Sequence, residues 1–349
     1  MNQAANPYKD LPQQQYWRSG VVDVGLGGFD PLIAPKFRLS SQDRVVTMGS
    51  CFAQHLARYI KIKGLNYVIA EPLRPSDEAL GVTVALAEQF SARYGNIYTV
   101  RQAVQLLDRI SGWEPREGYW RRDGRFFDSF RPTTYPNGFP NLDELRRERE
   151  IHLNCVKSVL SSCDVVVFTL GLTEAWISRI DGAVFPVAPG VAAGSFDGSL
   201  HAFENFSYST VATDLAEWCR RLRELNSRIR ILLTVSPVAL NATFVKQNVW
   251  TSTTYSKSVL RAAAGEVATN LDFVDYFPSY EVITSPSNHL RYLEDDLRSI
   301  KEIGVQHVMR VFDKHYLSTN VAPIVSSSHI NSRSDRNIAG IICDEDLLD

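Results

Sequence analysis

Residues 44–55 read Arg44-Val-Val-Thr-Met-Gly-Ser-Cys-Phe-Ala-Gln-His55, an apolar β-branched run that meets a glycine and opens into a helical pattern. A run without polar alternation suits a strand buried on both faces. Beyond Gly49, the residues Phe52, Leu56, Tyr59 and Ile60 fall at i, i+4, i+7 and i+8, one apolar helix face, and Gly64 is placed to end that helix. The pattern recurs in Asp164-Val-Val-Val-Phe-Thr-Leu170, Arg228-Ile-Arg-Ile-Leu-Leu-Thr-Val235 and Leu271-Asp-Phe-Val-Asp275. Helical patterns over 142–162 and 211–226 precede the second and third of these runs. Strands alternating with helices predict an α/β fold: one three-layer α/β/α domain on a parallel sheet, flavodoxin-like in outline.

Around this series the chain divides into an extended arm over 1–40, carrying Pro7, Pro12, Pro31 and Pro35, the α/β domain over 41–320, and a tail over 321–349. Two long insertions interrupt the domain, about 112–141 and 181–207. The first mixes arginines with aromatics. It reads either as a lid suited to sugar or phosphate, or as an insertion whose rings pack on the body. The tail, with Ser326-Ser-Ser-His329 and Cys343-Asp-Glu-Asp346, reads as peripheral.

Composition bounds the partners. In 349 residues, 44% hydrophobic and 22% charged, 37 Lys and Arg face 39 Asp and Glu, a net charge of -2. That balance fits a globular chain and disfavours a nucleic-acid or anionic-membrane binder, which needs a basic excess. The five cysteines, Cys51, Cys155, Cys163, Cys219 and Cys343, are odd in number and form no C-x-x-C pair. They predict neither a disulfide framework nor a metal site. The N-terminus lacks a leader pattern and no run of about 18 apolar residues occurs, so the expectation is a cytoplasmic protein without membrane insertion. Nothing in the sequence fixes its oligomeric state.

In an open parallel sheet, ligands bind beyond the carboxyl ends of the strands. Those ends are Gly49-Ser50-Cys51, Gly171-Leu172-Thr173-Glu174, Ser236-Pro237-Val238 and Asp275-Tyr276-Phe277-Pro278. A cysteine between a strand and a helix start faces free N–H groups that favour a thiolate and can hold an oxyanion. Cys51 is therefore a candidate nucleophile, the other reading being a small buried hydrophobe. Ser50 reads as the helix cap.

The segment Gly49-Ser-Cys-Phe-Ala53, followed by Gln54 and His55, is similar to the name-giving motif of the GSCFA family, a branch related to the SGNH/GDSL hydrolases. Further segments resemble that family: Asn6-Pro-Tyr-Lys9, Gly95-Asn-Ile-Tyr-Thr99, Gly171 to Trp176, Asp181 to Gly190, Thr234-Val-Ser-Pro237, Tyr255-Ser-Lys257 and Tyr276-Phe-Pro-Ser-Tyr-Glu281. Together they cover most of 6–315. The resemblance implies an SGNH-hydrolase-like domain with Cys51 in the nucleophile's place. It also implies Gly95 and Asn96 as oxyanion donors, and Thr173 where relatives carry an oxyanion asparagine. The relatives' final Asp-x-x-His falls on Asp295-Asp-Leu-Arg298, and an arginine cannot accept a proton from a thiol.

The base would then be His55, four residues after Cys51 on one helix, or His201, in a His-x-Phe-x-Asn element resembling the family. Glu174 would orient the base or bind a substrate hydroxyl. Lys257 would bind a carboxylate or phosphate, and Arg298 would bring permanent charge or pair with Asp295. His307, about 13 Å along a helix from Arg298, reads as structural.

The function so implied is acyl transfer, as an O-acyltransferase or esterase acting on a small-molecule or glycan substrate such as a polysaccharide precursor. No bound cofactor is expected, and acyl-CoA is the expected acyl donor. The competing reading is a non-catalytic glycan- or partner-binding module that has lost its histidine.

Overall fold

In the computed structural model, which describes residues 6–318 and 344–348, the apolar runs form one parallel sheet. Strand β1 (Val45–Gly49) pairs with β4 (Val165–Leu170), β4 with β8 (Arg230–Val235), and β8 with β9 (Val274–Tyr276). On the far side of β1, Val45 bridges in parallel to Tyr67. The Val45 N–H donates to Asn66 O at 2.9 Å, and Val68 N–H donates to Val45 O at 3.0 Å. The chain leaving β1 thus runs first to one side and then returns to the other at β4. A reversal of this kind opens a crevice at the strand ends.

Side chains alternate across the pleat, and both faces are covered. Val46, Met48, Val166, Phe168, Ile231 and Leu233 pack under α3 (Val100–Ile110), α4 (Leu142–Ser162), α5 (Tyr208–Leu225) and α6 (Val249–Asn270). Val45, Val165, Val167 and Leu232 pack on the other face under α1 (Ala53–Ile62), α7 (Ser279–Thr284) and α8 (Glu302–Tyr316). A short turn, α2, lies at Val84–Ala87. This double burial explains why the strands are apolar throughout. On α5, Leu215, Trp218 and Leu222 are fully buried, each aliphatic contributing about 1.5–3 kcal/mol. The Trp218 and Phe168 rings lie 4.8 Å apart and lock that helix to the sheet.

Helix limits follow their caps. Asn141 accepts the Glu144 N–H at 2.9 Å to start α4 where the sequence placed it. Ser207 caps α5, which begins at Tyr208, three residues before the periodic pattern. Gly64 (φ 67°) ends α1. Strand β9 is shorter than its apolar run because residues 271–273 are spent on the turn out of α6.

The two insertions are not loops. Residues 112–141 carry an antiparallel hairpin, β2 (Tyr119–Arg122) and β3 (Arg125–Asp128), turned by Asp123 and Gly124 at φ 50° and 73°, the left-handed pair of a two-residue hairpin turn. The second insertion supplies β6 (Val184–Phe185) and β7 (His201–Asn205), which flank β5 (Glu174–Ser178) antiparallel. Trp120, Phe127 and Phe130 share one core with Phe185 and Val187. Beneath it, the buried Asp128 faces Arg149, Arg131 and Arg109. The rings of the Arg/aromatic mixture, with Asp128 and Arg131, are thus internal packing, while Arg116, Arg121 and Arg122 stay exposed. Within the arm, Leu32 and Leu39 are buried and Leu39 bridges to Leu317.

Candidate functional site

The crevice lies between the ends of β1 and β4. Ser50 N–H donates to Thr169 O at 3.0 Å, which turns the chain sharply out of the sheet. Gly49 sits at φ 124°, and a Cβ there would lie 2.2 Å from Thr169 O, so only glycine makes this turn. At the end of β4, Gly171 N–H and Leu172 N–H both donate to Tyr98 O, at 3.1 and 3.0 Å. A Cβ on Gly171 would come within 3.0 Å of both the Ser50 Cβ and Tyr98 O. Two glycines therefore bring three segments into contact. Ser50, Cys51, Tyr98, Gly171, Leu240 and Lys257 line the cavity between them. Its volume of about 10 Å³ is one water's worth of space.

Cys51 is 3% exposed, at the foot of α1. Its sulfur is disulfide-bonded, whereas Cys155, Cys163 and Cys219 are free thiols. Reading the odd cysteine count as evidence against any disulfide is thereby corrected, since one bridge needs only two of the five. Cys343 and His329 lie outside the described residues. Burial pushes the Cys163 thiol up to about 12, and it raises Cys219 as well. Neither is a candidate nucleophile.

Ser50 is not the helix cap. Phe52 holds that position, without a side-chain cap, and the buried Ser50 Oγ has no hydrogen-bond partner among the described residues. The cavity beside this hydroxyl has room for one water, which would satisfy it.

Among the described residues, neither proposed base is hydrogen-bonded to the sulfur. The His55 imidazole leans on the Phe52 ring with centroids 5.2 Å apart. Burial and then the Arg58 charge lower its pKa to about 4, so it is neutral at pH 7 and a weak proton acceptor. His201, 2% exposed, spends both ring nitrogens elsewhere. Nε2 faces the Glu117 carboxylate at 2.9 Å, and Nδ1 accepts the Asp197 N–H at 3.0 Å. It fastens β7 to the first insertion.

Other expected site residues turn out to be braces. Glu174 accepts Thr243 Oγ1–H at 2.6 Å and Phe244 N–H at 3.2 Å, holding the 243–244 loop and orienting no histidine. Thr173 donates its N–H to Ser256 Oγ at 3.0 Å and its hydroxyl to Asn205 Oδ1 at 2.7 Å, which leaves it no donor for an oxyanion. His307, as expected, is structural, with Nδ1 against Tyr292 Oη at 2.7 Å.

Asp295 and Arg298 precede α8 in a turn and do not pair. Asp295 is exposed, while Arg298 donates from Nε to Ala239 O at 3.1 Å and pairs with Asp346 at 2.9 Å.

The charged residue that the fold places in the cavity with Cys51 is Lys257. Lys257, 2% exposed on α6, lines the same cavity and donates from Nζ to Gly171 O at 2.6 Å. Gly95 (φ 68°) turns the chain so that the buried Asn96 Nδ2 donates to Asp344 Oδ2 at 3.0 Å. A strand-end turn reading Gly-Ser-Cys-Phe-Ala is the structural core of this site. A family model described as the GSCFA family matches residues 44–312, from the first strand well into α8. The chain belongs to the GSCFA family. Among the curated proteins none matches it.

Beside the GSCFA turn lies a second cavity of about 220 Å³, which shares Leu172 and Leu240 with the first. Trp176, Phe203 and Phe244 line it, their rings 4.8–5.7 Å apart. The sequence pointed to none of these but Trp176 and Phe203, because Phe244 and Leu240 lie in an irregular loop without periodicity. Tyr98, Ser236 and Ser256 stood in or beside quoted segments without an assigned role. Among the described residues, no helix is long and apolar enough to cross a membrane.

Proposed function

We propose that this GSCFA protein is a thiol-dependent acyl-transfer enzyme in which Cys51, once its disulfide is reduced, is the nucleophile. The observation that carries the reading is the position of Cys51. It stands at the end of β1, in the first turn before α1 and at the crevice created by the sheet's reversal, in a cavity it shares with Lys257. The relation to SGNH hydrolases belongs to this reading.

In the proposed step the Cys51 thiolate attacks an acyl carbonyl. A C–S bond forms, and the donor's leaving group departs with the electron pair of its bond to the acyl carbon. A hydroxyl of the acceptor, a sugar or polysaccharide precursor, then attacks the thioester, its proton passes to solvent or buffer, and the C–S bond breaks to return the Cys51 thiolate. Lys257 and the helix N-terminus favour the thiolate without a histidine. Acyl-CoA is the donor this chemistry favours, because one thiolate replaces another of similar basicity and the first step needs little acid catalysis. The cavity lined by Trp176, Phe203 and Phe244 would take the apolar acyl chain or the face of a sugar ring.

The test is transfer from acyl-CoA, or hydrolysis of a nitrophenyl ester, by the reduced protein. Cys51→Ala should abolish turnover and Ser50→Ala should retain most of it. Unchanged turnover in Cys51→Ala would end the proposal. A second reading, a binding module without chemistry, draws on one observation: among the described residues, neither His55 nor His201 is hydrogen-bonded to Cys51. Glycan affinity without thioester formation on Cys51 would favour it.

A further inference from the structure

The polar groups around the Cys51 cavity already hold an acidic ligand, supplied by the chain itself. Residues 344–348 form a single turn set against the site, where the sequence suggested a peripheral tail. Asp344 is 1% exposed. Its carboxylate accepts from Asn96 Nδ2 at 3.0 Å and from Thr133 Oγ1 at 2.7 Å, and its own N–H donates to Tyr98 Oη at 2.9 Å. Two residues on, Asp346 Oδ1 accepts from Arg298 NH1 at 2.9 Å. Three separate segments, 95–98, 133 and 298, thus converge on two carboxylates and one amide of the same short stretch.

Burying a carboxylate is costly unless its oxygens are matched by donors, and burial does raise the Asp344 pKa. Asn96 and Thr133 match one oxygen each. Tyr98 adds an acceptor for an amide N–H, so the notch recognises a carboxylate attached to a peptide-like N–H, not a bare anion. Arg298, where a hydrolase would place its base, is engaged on the second acidic group.

We propose that Asn96, Thr133, Tyr98 and Arg298 form a recognition subsite for an acidic peptide group beside Cys51, and that the C-terminal stretch Asp344–Leu348 fills it as a tethered occupant. Such a ligand must displace the stretch before it can bind. The inference concerns binding and stands apart from the acyl-transfer reading, because its test requires no turnover.

The probe is a fluorescein-labelled peptide of the chain's own sequence, Asp-Glu-Asp-Leu-Leu-Asp, titrated by anisotropy against the reduced full-length chain. Wild type, with the subsite filled, should bind weakly. Full-length Asp344→Ala, with the subsite vacated, should bind at least about tenfold more tightly. Adding Thr133→Val or Asn96→Ala to Asp344→Ala should remove that gain, with unchanged circular dichroism showing that the fold is kept. Arg298→Gln in the Asp344→Ala background should weaken binding of this peptide and not of one whose third residue, the counterpart of Asp346, is replaced by asparagine. Equal affinity in wild type and Asp344→Ala, or a gain that survives both Thr133→Val and Asn96→Ala, would overturn the proposal.

Discussion

Replacing Asp128 by asparagine separates the two roles open to the arginine-rich insertion. The Asp128 side chain is 1% exposed, with Arg149 Nε at 3.0 Å, Arg131 Nε at 3.3 Å and Arg109 NH2 at 3.8 Å. Burial alone would raise its pKa, but the guanidinium groups of Arg149, Arg109 and Arg131 overcome this and hold it far below the usual carboxylate range. The Asp128→Asn side chain would keep the volume and lose the charge, leaving three partly or wholly buried cations without their anion. Breaking a buried ion pair in this way costs about 3–5 kcal/mol. A domain of this size loses about 2 °C per kcal/mol, so Tm should fall by roughly 6–10 °C. Urea unfolding followed by circular dichroism measures the free energy, and a thermal scan measures the shift.

The pH dependence has a fixed sign. A depressed carboxyl stabilises the fold above its unfolded value, near 3.9, and that contribution is lost as pH falls. The gap between wild type and Asp128→Asn should therefore shrink in acid. A loss under about 1 kcal/mol at neutral pH would refute the structural assignment.

Gly49→Ala should destabilise by about 3 kcal/mol or more, because the added Cβ overlaps the Thr169 backbone and the positive φ is strained; chemical unfolding reads this directly. His201→Ala should cost about 1–3 kcal/mol by removing the contact to Glu117, which keeps the Trp120 Nε1–H, yet leave the alkylation rate of reduced Cys51 unchanged, and a slowed rate would restore His201 as the base. Glu71, buried against His152 at 2.7 Å, is held down to about 2 by His152, Arg131 and the Arg93 N–H acting against burial. Its contribution of roughly 2–3 kcal/mol should be present above pH 4.5 and fade towards pH 2, and Glu71→Gln should flatten that part of the acid stability curve.

The central sheet was legible because its strands are buried on both faces. Val165–Leu170 can be apolar throughout only if helices cover both sides, and the run states as much. Helix α4 was legible from Asn141 to Ser162 because a capping asparagine and two acidic residues mark its start. The hairpin at Asp123-Gly124 was missed although its turn residues favour a left-handed pair, since the flanking arginines disguised the two-residue alternation. What cannot be read locally is tertiary assignment. Glu174 looked like a catalytic carboxylate until its partners proved to be Thr243 and Phe244, and His201 until Glu117 and Asp197 claimed its nitrogens. The role of Asp344 depends on contacts with residues 211 to 248 positions away, and no pattern within the tail announces them.

In the proposed function the Cys51 sulfur is the atom that takes the acyl group. The direct measurement is intact-mass and peptide mass spectrometry of the reduced protein after brief exposure to acyl-CoA. One acyl group on the peptide containing Cys51, removable by neutral hydroxylamine, absent in Cys51→Ala and present in Ser50→Ala, is the predicted result. An acyl group on Ser50, or turnover that persists with no adduct in Cys51→Ala, would contradict it.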